Sequence, residues 1–177
     1  SVVVVASAGP SFWRAFVAHC RVHPDHFLAS AHPLDAFARR AIEMATVGEP
    51  HPWHFAAFDA ALALDFRTLA VQAGLGAPSR FGLVLHPRWG PWIGLRAAGF
   101  VPFALPETGA SPDLCPGCPA PCETACPGAA FEAGQWSVSR CASFHQVSDT
   151  CARSCASREA CPVGLEHRYP SLARLHH

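Results

Sequence analysis

The chain has 177 residues, about half of them apolar, with 13 arginines and no lysine against 13 acidic residues. This length and composition allow one compact unit or two small ones with a real core. A neutral chain without clustered cationic side chains is a poor candidate for binding nucleic acid unaided, because that affinity comes from cationic side chains that contact the phosphate groups. No apolar run approaches the length of a membrane helix, so we expect no membrane partner.

The first elements follow from apolar spacing and proline placement. Val2 to Ala6 predict a buried strand, and Gly9-Pro10 predict a turn into a helix that carries Cys20 at the end of its apolar stripe. We interpret Cys20 as a packing residue, since free cysteine is among the most buried residue types. A second helix is predicted from His32-Pro33 to Ala45. A third helix is predicted to end at Gly74, with an apolar stripe that includes Phe55, Phe58, Leu62, Phe66, Leu69 and Ala73.

Two further strands are predicted at 81–86 and at 92–101, joined by the turn at 87–90 and therefore antiparallel to each other. A proline-bearing linker follows at 101–112. The sequence thus predicts an α+β protein with a small α/β domain at 1–106 and a cysteine-rich domain at 107–177. We predict packing roles for Trp89, Trp92 and Trp136.

Eight of the nine cysteines lie in the last third of the chain, in two runs of four that each end in Cys-Pro. The first run is Cys115, Cys118, Cys122 and Cys126-Pro127. The second is Cys141, Cys151, Cys155 and Cys161-Pro162. Between them, FEAGQWSV at 131–138 predicts a short hairpin.

Two [4Fe–4S] clusters need two sets of four thiolates, and in bacterial two-cluster ferredoxins the cysteine before proline ligates the other cluster. This rule assigns the first cluster to Cys115, Cys118, Cys122 and Cys161. It assigns the second cluster to Cys126, Cys141, Cys151 and Cys155. Two zinc sites, or one cluster beside a degraded site, stay open as alternatives. In each case the metal is part of the fold, because so cysteine-dense a segment has few apolar residues with which to order itself.

Persistent thiolates without a visible secretory signal favour a reducing compartment, and we expect the cytoplasm. The histidines His19, His23, His26 and His32 are interpreted as scattered through helix ends and loops, and no metal site is predicted among them.

Residues 73–96, AGLGAPSRFGLVLHPRWGPWIGLR, followed by a linker and the cysteine runs, resemble the epoxyqueuosine reductases and the related corrinoid-dependent reductive dehalogenases. The resemblance covers about residues 64–165 and suggests a shortened relative. It implies a reduced α/β domain like that of flavin reductases and corrinoid-binding proteins, followed by a two-cluster ferredoxin-like domain. It also implies cobalamin as a further cofactor.

Three functions are considered. The first is an electron-transfer protein that passes single electrons from two clusters to a partner protein, a small-molecule acceptor or a cofactor on its first domain. The second is a corrinoid-dependent reductase of a small molecule, with Arg80, His86 and Arg96 lining the cofactor site. The third is an interaction domain in which the metal is purely structural.

Overall fold

The computed structural model describes residues 1–49, 51–59 and 64–175, and it combines helices with small antiparallel sheets. The chain begins with β1 (Val2–Ala8), which leads directly into α1 (Gly9–Val22); α2 (Pro24–Leu28) and α3 (Pro33–Ala45) follow. Each of these helices has a proline in its first turn, where the missing N–H would have no partner within the helix. The predicted first strand and first two helices are confirmed, although Val2 to Ala6 are half-buried and not buried as predicted, and α2 is an addition.

The main sheet has three strands in the order β1, β5 (Ile93–Phe100), β2 (Trp53–Phe55), with β5 antiparallel to both neighbours. Val2 pairs with Phe100 at one end of β1 and Ala8 pairs with Ile93 at the other, with one irregularity between Val5 and Ala6. The centre of β5 is buried at four successive residues, Arg96, Ala97, Ala98 and Gly99. A central strand that is buried on both faces suits the small side chains of this sequence.

The predicted hairpin between 81–86 and 92–101 does not form. Only β4 (Val84–Leu85) is a strand in the first of these segments, and it pairs with β3 (Ala77–Pro78) in a separate two-stranded sheet. The turn at 87–90 closes with a single bridge between His86 and Gly90. Because β1 and β2 occupy both edges of β5, no edge is left for the 81–86 segment.

The prediction of a long third helix that includes Phe55 is also wrong. The helix in this segment is the shorter α4 (Phe66–Gln72), and Phe55 lies in β2. Asp65 caps this helix: its carboxylate accepts hydrogen bonds from the backbone N–H groups of Arg67 and Thr68. A capping aspartate fixes a helix start at the following residue. Gly74 has a φ of +69° immediately after the C-cap, as predicted for the residue that ends the helix. Leu62, predicted on the same stripe, lies outside the described residues.

The cysteine region is built from short helices and one hairpin. The predicted hairpin is confirmed as β6 (Phe131–Glu132) and β7 (Gln135–Trp136). The helices are α5 (Pro121–Ala125), α6 (Val138–Val147), α7 (Asp149–Arg153), α8 (Ala156–Ala160) and α9 (Ser171–Arg174), with one turn of 3₁₀ helix at Leu165–His167 before the last. Within the described ranges, every helix falls short of the length and apolar character needed to span a bilayer.

A backbone-to-backbone contact joins the turn before β5 to the segment after Cys161. A Cβ added at Gly90 would lie 2.0 Å from the carbonyl oxygen of Val163, and one added at Gly164 would lie 2.5 Å from the backbone of Trp89. Both glycines have positive φ, so these positions require glycine for two independent reasons. The contact holds the second cysteine run against the first part of the chain.

Side chains complete this junction. The guanidinium of Arg158 in α8 donates a 2.7 Å hydrogen bond to the carbonyl of Pro91, and it lies over the rings of Trp92 and Tyr169. Trp92 is fully buried and packs edge-on against Tyr169, which confirms its predicted packing role. The boundary at 106/107 stays a prediction, but the segments on either side of it share a buried contact.

Candidate metal centres

The first cysteine run is shaped by a tight loop and a short helix. The carboxylate of Asp113 accepts a 3.0 Å hydrogen bond from the backbone N–H of Cys115, and the N–H of Cys118 donates to the carbonyl of Cys115 at 3.1 Å. The residue before α5, Ala120, has a positive φ of 54°, and it turns the chain so that Cys122 enters the interior from the helix. These local bonds bring Cys115, Cys118 and Cys122 to one side of the loop.

Cys161, 39 residues beyond Cys122 in the sequence, joins this group rather than its neighbours in the chain. Burial raises the pKa of the Cys161 thiol, and the nearby Cys115 and Cys118 raise it further. Burial likewise raises the pKa of the Cys122 thiol, with Cys161, Glu123 and Cys115 as further causes. Packing of α5 against α8 produces this arrangement.

The other four cysteines interact with one another. Burial raises the pKa of the Cys151 thiol, and Cys155, Cys141 and Cys126 raise it further. Burial also raises the pKa of Cys141, where the additional causes are Cys155 and Cys126. The resolved thiol–thiol interactions thus fall into two groups, and each group contains the Cys-Pro cysteine of the opposite run.

The first group lies in the most apolar part of the cysteine region. Cys122 and Cys161 are 6% and 5% exposed and belong to one buried cluster with Phe81 and Leu85. Phe81 and Leu85 come from the segment around β4, so the first part of the chain supplies the wall of this site. Arg80 adds a charge beside it: a 2.7 Å ion pair with Glu123 raises the pKa of the Arg80 guanidinium, with Cys115 and Cys122 as further causes.

The second group is held by elements without a core. Neither α6, which carries Cys141, nor α7, which carries Cys151, contains a buried residue, and Cys155 is exposed at the start of α8. One side chain covers the group from the hairpin. The indole N–H of Trp136 hydrogen-bonds the sulfur of Cys141, and this bond opposes the upward shift of its pKa.

Trp136 therefore does more than pack, which the hairpin pattern alone did not predict. Its ring also contacts the apolar cluster around Cys122 and Cys161, so one residue touches the surroundings of both cysteine groups. The position of Trp136 at the end of the hairpin, five residues before Cys141, is the only sequence signal for this role.

The three residues suggested for a corrinoid site have separate partners. Arg80 pairs with Glu123, and the Nδ1 atom of His86 accepts hydrogen bonds from the backbone N–H groups of Arg88 and Trp89. Arg96 is buried at the centre of β5, where it binds Asp35 at 2.6 Å and Ser7 at 3.0 Å. Each of the three side chains is thus engaged with a different part of the protein, and their role at a corrinoid site stays a prediction.

Arg96 lines a cavity of about 260 Å³ whose wall also contains Asp35, Arg67 and Arg158, and it lines a second cavity of about 300 Å³ beside Phe12 and Trp53. Ordinary ligand sites occupy about 300–1,000 Å³, so one volume lies below this range and the other at its lower end, and a corrinoid is larger than those ligands. Neither cavity therefore favours a corrinoid. Cobalamin binding stays a prediction of the resemblance.

Fold and site together define a class of protein: a mixed α/β unit joined to a two-group, cysteine-rich centre. Comparison with solved structures gives the particular fold, which is that of the epoxyqueuosine reductases. The enzyme from Bacillus subtilis matches with a TM-score of 0.58 at 16% identity, over 96% of this chain and 50% of its own. The enzyme from Streptococcus thermophilus gives the same values.

An epoxyqueuosine reductase structure with a bound, epoxyqueuosine-modified tRNA stem loop matches with a TM-score of 0.60 at 15% identity, over 99% of this chain and 51% of its own. The chain thus has this fold over almost its whole length and spans about half the length of the structures it matches. No family model and no curated protein matches the sequence. The predicted resemblance is confirmed as a likeness of fold. Because one similar structure holds tRNA, the expectation against nucleic acid stays a prediction.

Proposed function

We propose that this chain is an iron–sulfur electron-transfer protein that holds two [4Fe–4S] clusters. Cys115, Cys118, Cys122 and Cys161 would hold one cluster, and Cys126, Cys141, Cys151 and Cys155 the other. The clusters, when bound, supply single-electron transfer at potentials that the protein sets. The observation that carries the proposal is the separation of the thiol–thiol interactions into two groups of four across the two runs.

The sulfur atoms are spaced more widely than four thiolates on a single zinc ion. Four thiolates on one zinc ion, each about 2.3 Å from it, lie about 3.8 Å from one another. All nine cysteines lie in the described part of the chain, and no three of them bring their sulfurs within 4.8 Å of one another. A cubane has an iron at each of four corners and holds its thiolates farther apart than one ion does.

The chain's own groups provide the electrostatic setting. Hydrogen bonding from the backbone of Val163 opposes the upward shift in the pKa of Cys161, and hydrogen bonding from Trp136 does the same for Cys141. Such donors, together with the Arg80 guanidinium, stabilise negative charge on sulfur and so favour the reduced state. Burial of Cys122 and Cys161 acts in the opposite direction, because an apolar setting disfavours the added charge.

Access differs between the two groups, and this suggests where electrons are exchanged. Cys155 is exposed and α6 and α7 have no buried residues, so a partner protein or a small acceptor can approach the second group closely. The first group lies against Phe81 and Leu85, toward the α/β part of the chain. We therefore place exchange with an external partner at the second group. Function as an oxidoreductase in a reducing compartment such as the cytoplasm is part of the same proposal.

Metal and sulfide analysis of protein prepared without oxygen tests the proposal. We expect about eight irons and a similar amount of acid-labile sulfide per chain. Zinc without sulfide would contradict electron transfer and would favour the structural metal site instead. Cys20→Ala is the control, because Cys20 belongs to neither group and its loss should leave the iron content unchanged.

Addition of cobalamin separates this function from that of a corrinoid-dependent reductase. A ligand that binds only the folded state raises the melting temperature by mass action. We expect no change in melting temperature or in the cobalamin spectrum at millimolar cobalamin. A clear upward shift would favour the reductase.

A further inference from the structure

Three imidazoles and a carboxylate gather where α1 meets α2, far along the chain from the two cysteine runs. His19 and His23 are four residues apart and share a face of the helix end. Pro24 ends α1 and begins α2, and the resulting turn brings His26 back against His19. The histidines of this segment are therefore grouped, contrary to the expectation that they are scattered, and the four-residue spacing is the signal for it.

The donor atoms of this group are close enough to share one ion. His23, Asp25 and His26 each offer a ligand atom within 4.8 Å of the others. The Nε2 atom of His26 lies 3.7 Å from a carboxylate oxygen of Asp25, and the rings of His23 and His26 stack with centroids 4.9 Å apart. Tetrahedral coordination at bond lengths of about 2.0–2.2 Å places neighbouring donors about 3.3–3.6 Å apart, so small side-chain movements complete the geometry.

His19 supplies the support that such a ligand needs. Its Nε2 atom lies 3.0 Å from Nδ1 of His26, the ring nitrogen that faces away from Asp25. Histidines that bind metal donate their other N–H to an acceptor, which fixes the tautomer and the orientation of the ring. A neutral imidazole has one ring nitrogen without a proton, so His19 can accept this bond at Nε2.

We propose that His23, Asp25 and His26 form a binding site for a divalent transition metal of the zinc class, with His19 as the residue that positions His26. Two imidazoles and one carboxylate suit Zn²⁺ and leave a coordination position open. A cavity of about 600 Å³, lined by the three histidines with Phe37, Arg40 and Met44, opens beside the group and provides room for that position. The bound ion would join the end of α1 to α2.

Zinc titration into the anaerobically prepared protein, with iron–sulfur centres in place, tests the site while the cysteines are engaged. We expect one Zn²⁺ per chain, with affinity reduced at least about tenfold in His23→Gln, Asp25→Asn and His26→Gln. His32→Gln, at an exposed histidine before α3, is the matched control and should bind zinc as the unaltered protein does. Removal of His176 and His177 together should also leave the affinity unchanged.

The supporting role of His19 has its own test. His19→Phe should weaken zinc binding about tenfold, whereas His19→Glu, whose carboxylate can accept the same hydrogen bond, should restore it. A merely structural role would not produce this rescue. Absence of zinc binding at 100 µM, or equal affinity in the unaltered protein and in both His23→Gln and Asp25→Asn, would overturn the proposal. Asp25 is exposed, so its replacement does not threaten folding.

Discussion

The two cysteine groups share one short segment but differ in their surroundings. Cys122 and Cys161 lie in an apolar cluster whose wall, Phe81 and Leu85, comes from the α/β part of the chain. Cys141, Cys151 and Cys155 lie on short helices that bury little, under the cover of one tryptophan. The same residue type thus forms an enclosed group and an open one.

This difference shows how the two parts of the chain depend on each other. The enclosed site needs the α/β part for its wall, and the backbone contact between Gly90 and Val163 keeps that wall in place. The open site depends mainly on residues between 126 and 155, and its stability would come from the bound metal itself. Changes in the α/β part should therefore affect the first group before the second.

The largest effect is expected from Gly90→Ala. The new Cβ would meet the carbonyl oxygen of Val163 at 2.0 Å, and the residue would keep a φ of +55°. Strain and the clash together should lower the free energy of unfolding by about 2–5 kcal/mol, measured by denaturant titration. Gly134→Ala is the control, because Gly134 has a similar φ of +75° but no atom within 4 Å of the added Cβ. An equal decrease in the free energy of unfolding in the two variants would show that the contact between Gly90 and Val163 does not contribute to stability.

Chelation should distinguish the two groups by rate. Iron held by the open group should leave several-fold faster under an iron chelator than iron held by Cys122 and Cys161, because exposed sites open at lower local free energy. Iron release followed over time in the absence of oxygen should show two phases of equal amplitude. A single phase would contradict the difference in enclosure.

A smaller effect should follow from Trp136→Phe. The ring remains but the N–H bond to the sulfur of Cys141 is lost, so the reduced state of the open site loses about 1 kcal/mol of stabilisation. For a one-electron couple this lowers the reduction potential by about 40 mV, measured by redox titration followed by EPR. Trp89→Phe, at a tryptophan that packs against His86, should leave both potentials unchanged. A shift confined to the enclosed site would contradict the assignment of Trp136.

The smallest effect is expected from Arg80→Gln. Loss of a positive charge beside Cys115 and Cys122 should lower the potential of the enclosed site, but solvent weakens the influence of a side chain that is 37% exposed. Arg39→Gln removes a comparable exposed ion pair, with Glu43 on α3, and serves as the control. The same titration should show a shift smaller than that of Trp136→Phe, and a rise in potential would contradict the account.

The sequence predicted local elements well and strand partners poorly. Pro10 and Pro33 mark the starts of α1 and α3, and the FEAGQWSV segment forms its hairpin as expected. The pairing of β5 with β1 and β2 depends on which distant segments reach its edges, and alternation within 81–101 contains no information on that choice. Asp65 was a usable signal for the start of α4, because its carboxylate caps the helix.

The candidate site divides in the same way. The assignment of the eight cysteines to two ligand sets rests on spacing and the Cys-Pro rule, which are local and chemical features, and it stays a prediction. Arg80 and Glu123 are 43 residues apart in the sequence, and their contact depends on how the chain packs. The sequence therefore contained no indication of this ion pair when Arg80 was suggested for a corrinoid site. The four-residue spacing of His19 and His23 could have predicted the group of histidines at α1 and α2.

The crossed arrangement of ligands is tested most directly by iron counts in paired variants. Cys161→Ala should retain about four irons per chain, since one of two four-iron sites is lost. The double variant Cys161→Ala/Cys122→Ala should lose no further iron, because both cysteines serve the same site. The double variant Cys161→Ala/Cys151→Ala should retain almost no iron. The opposite result, with further loss from Cys122→Ala and none from Cys151→Ala, would contradict the account.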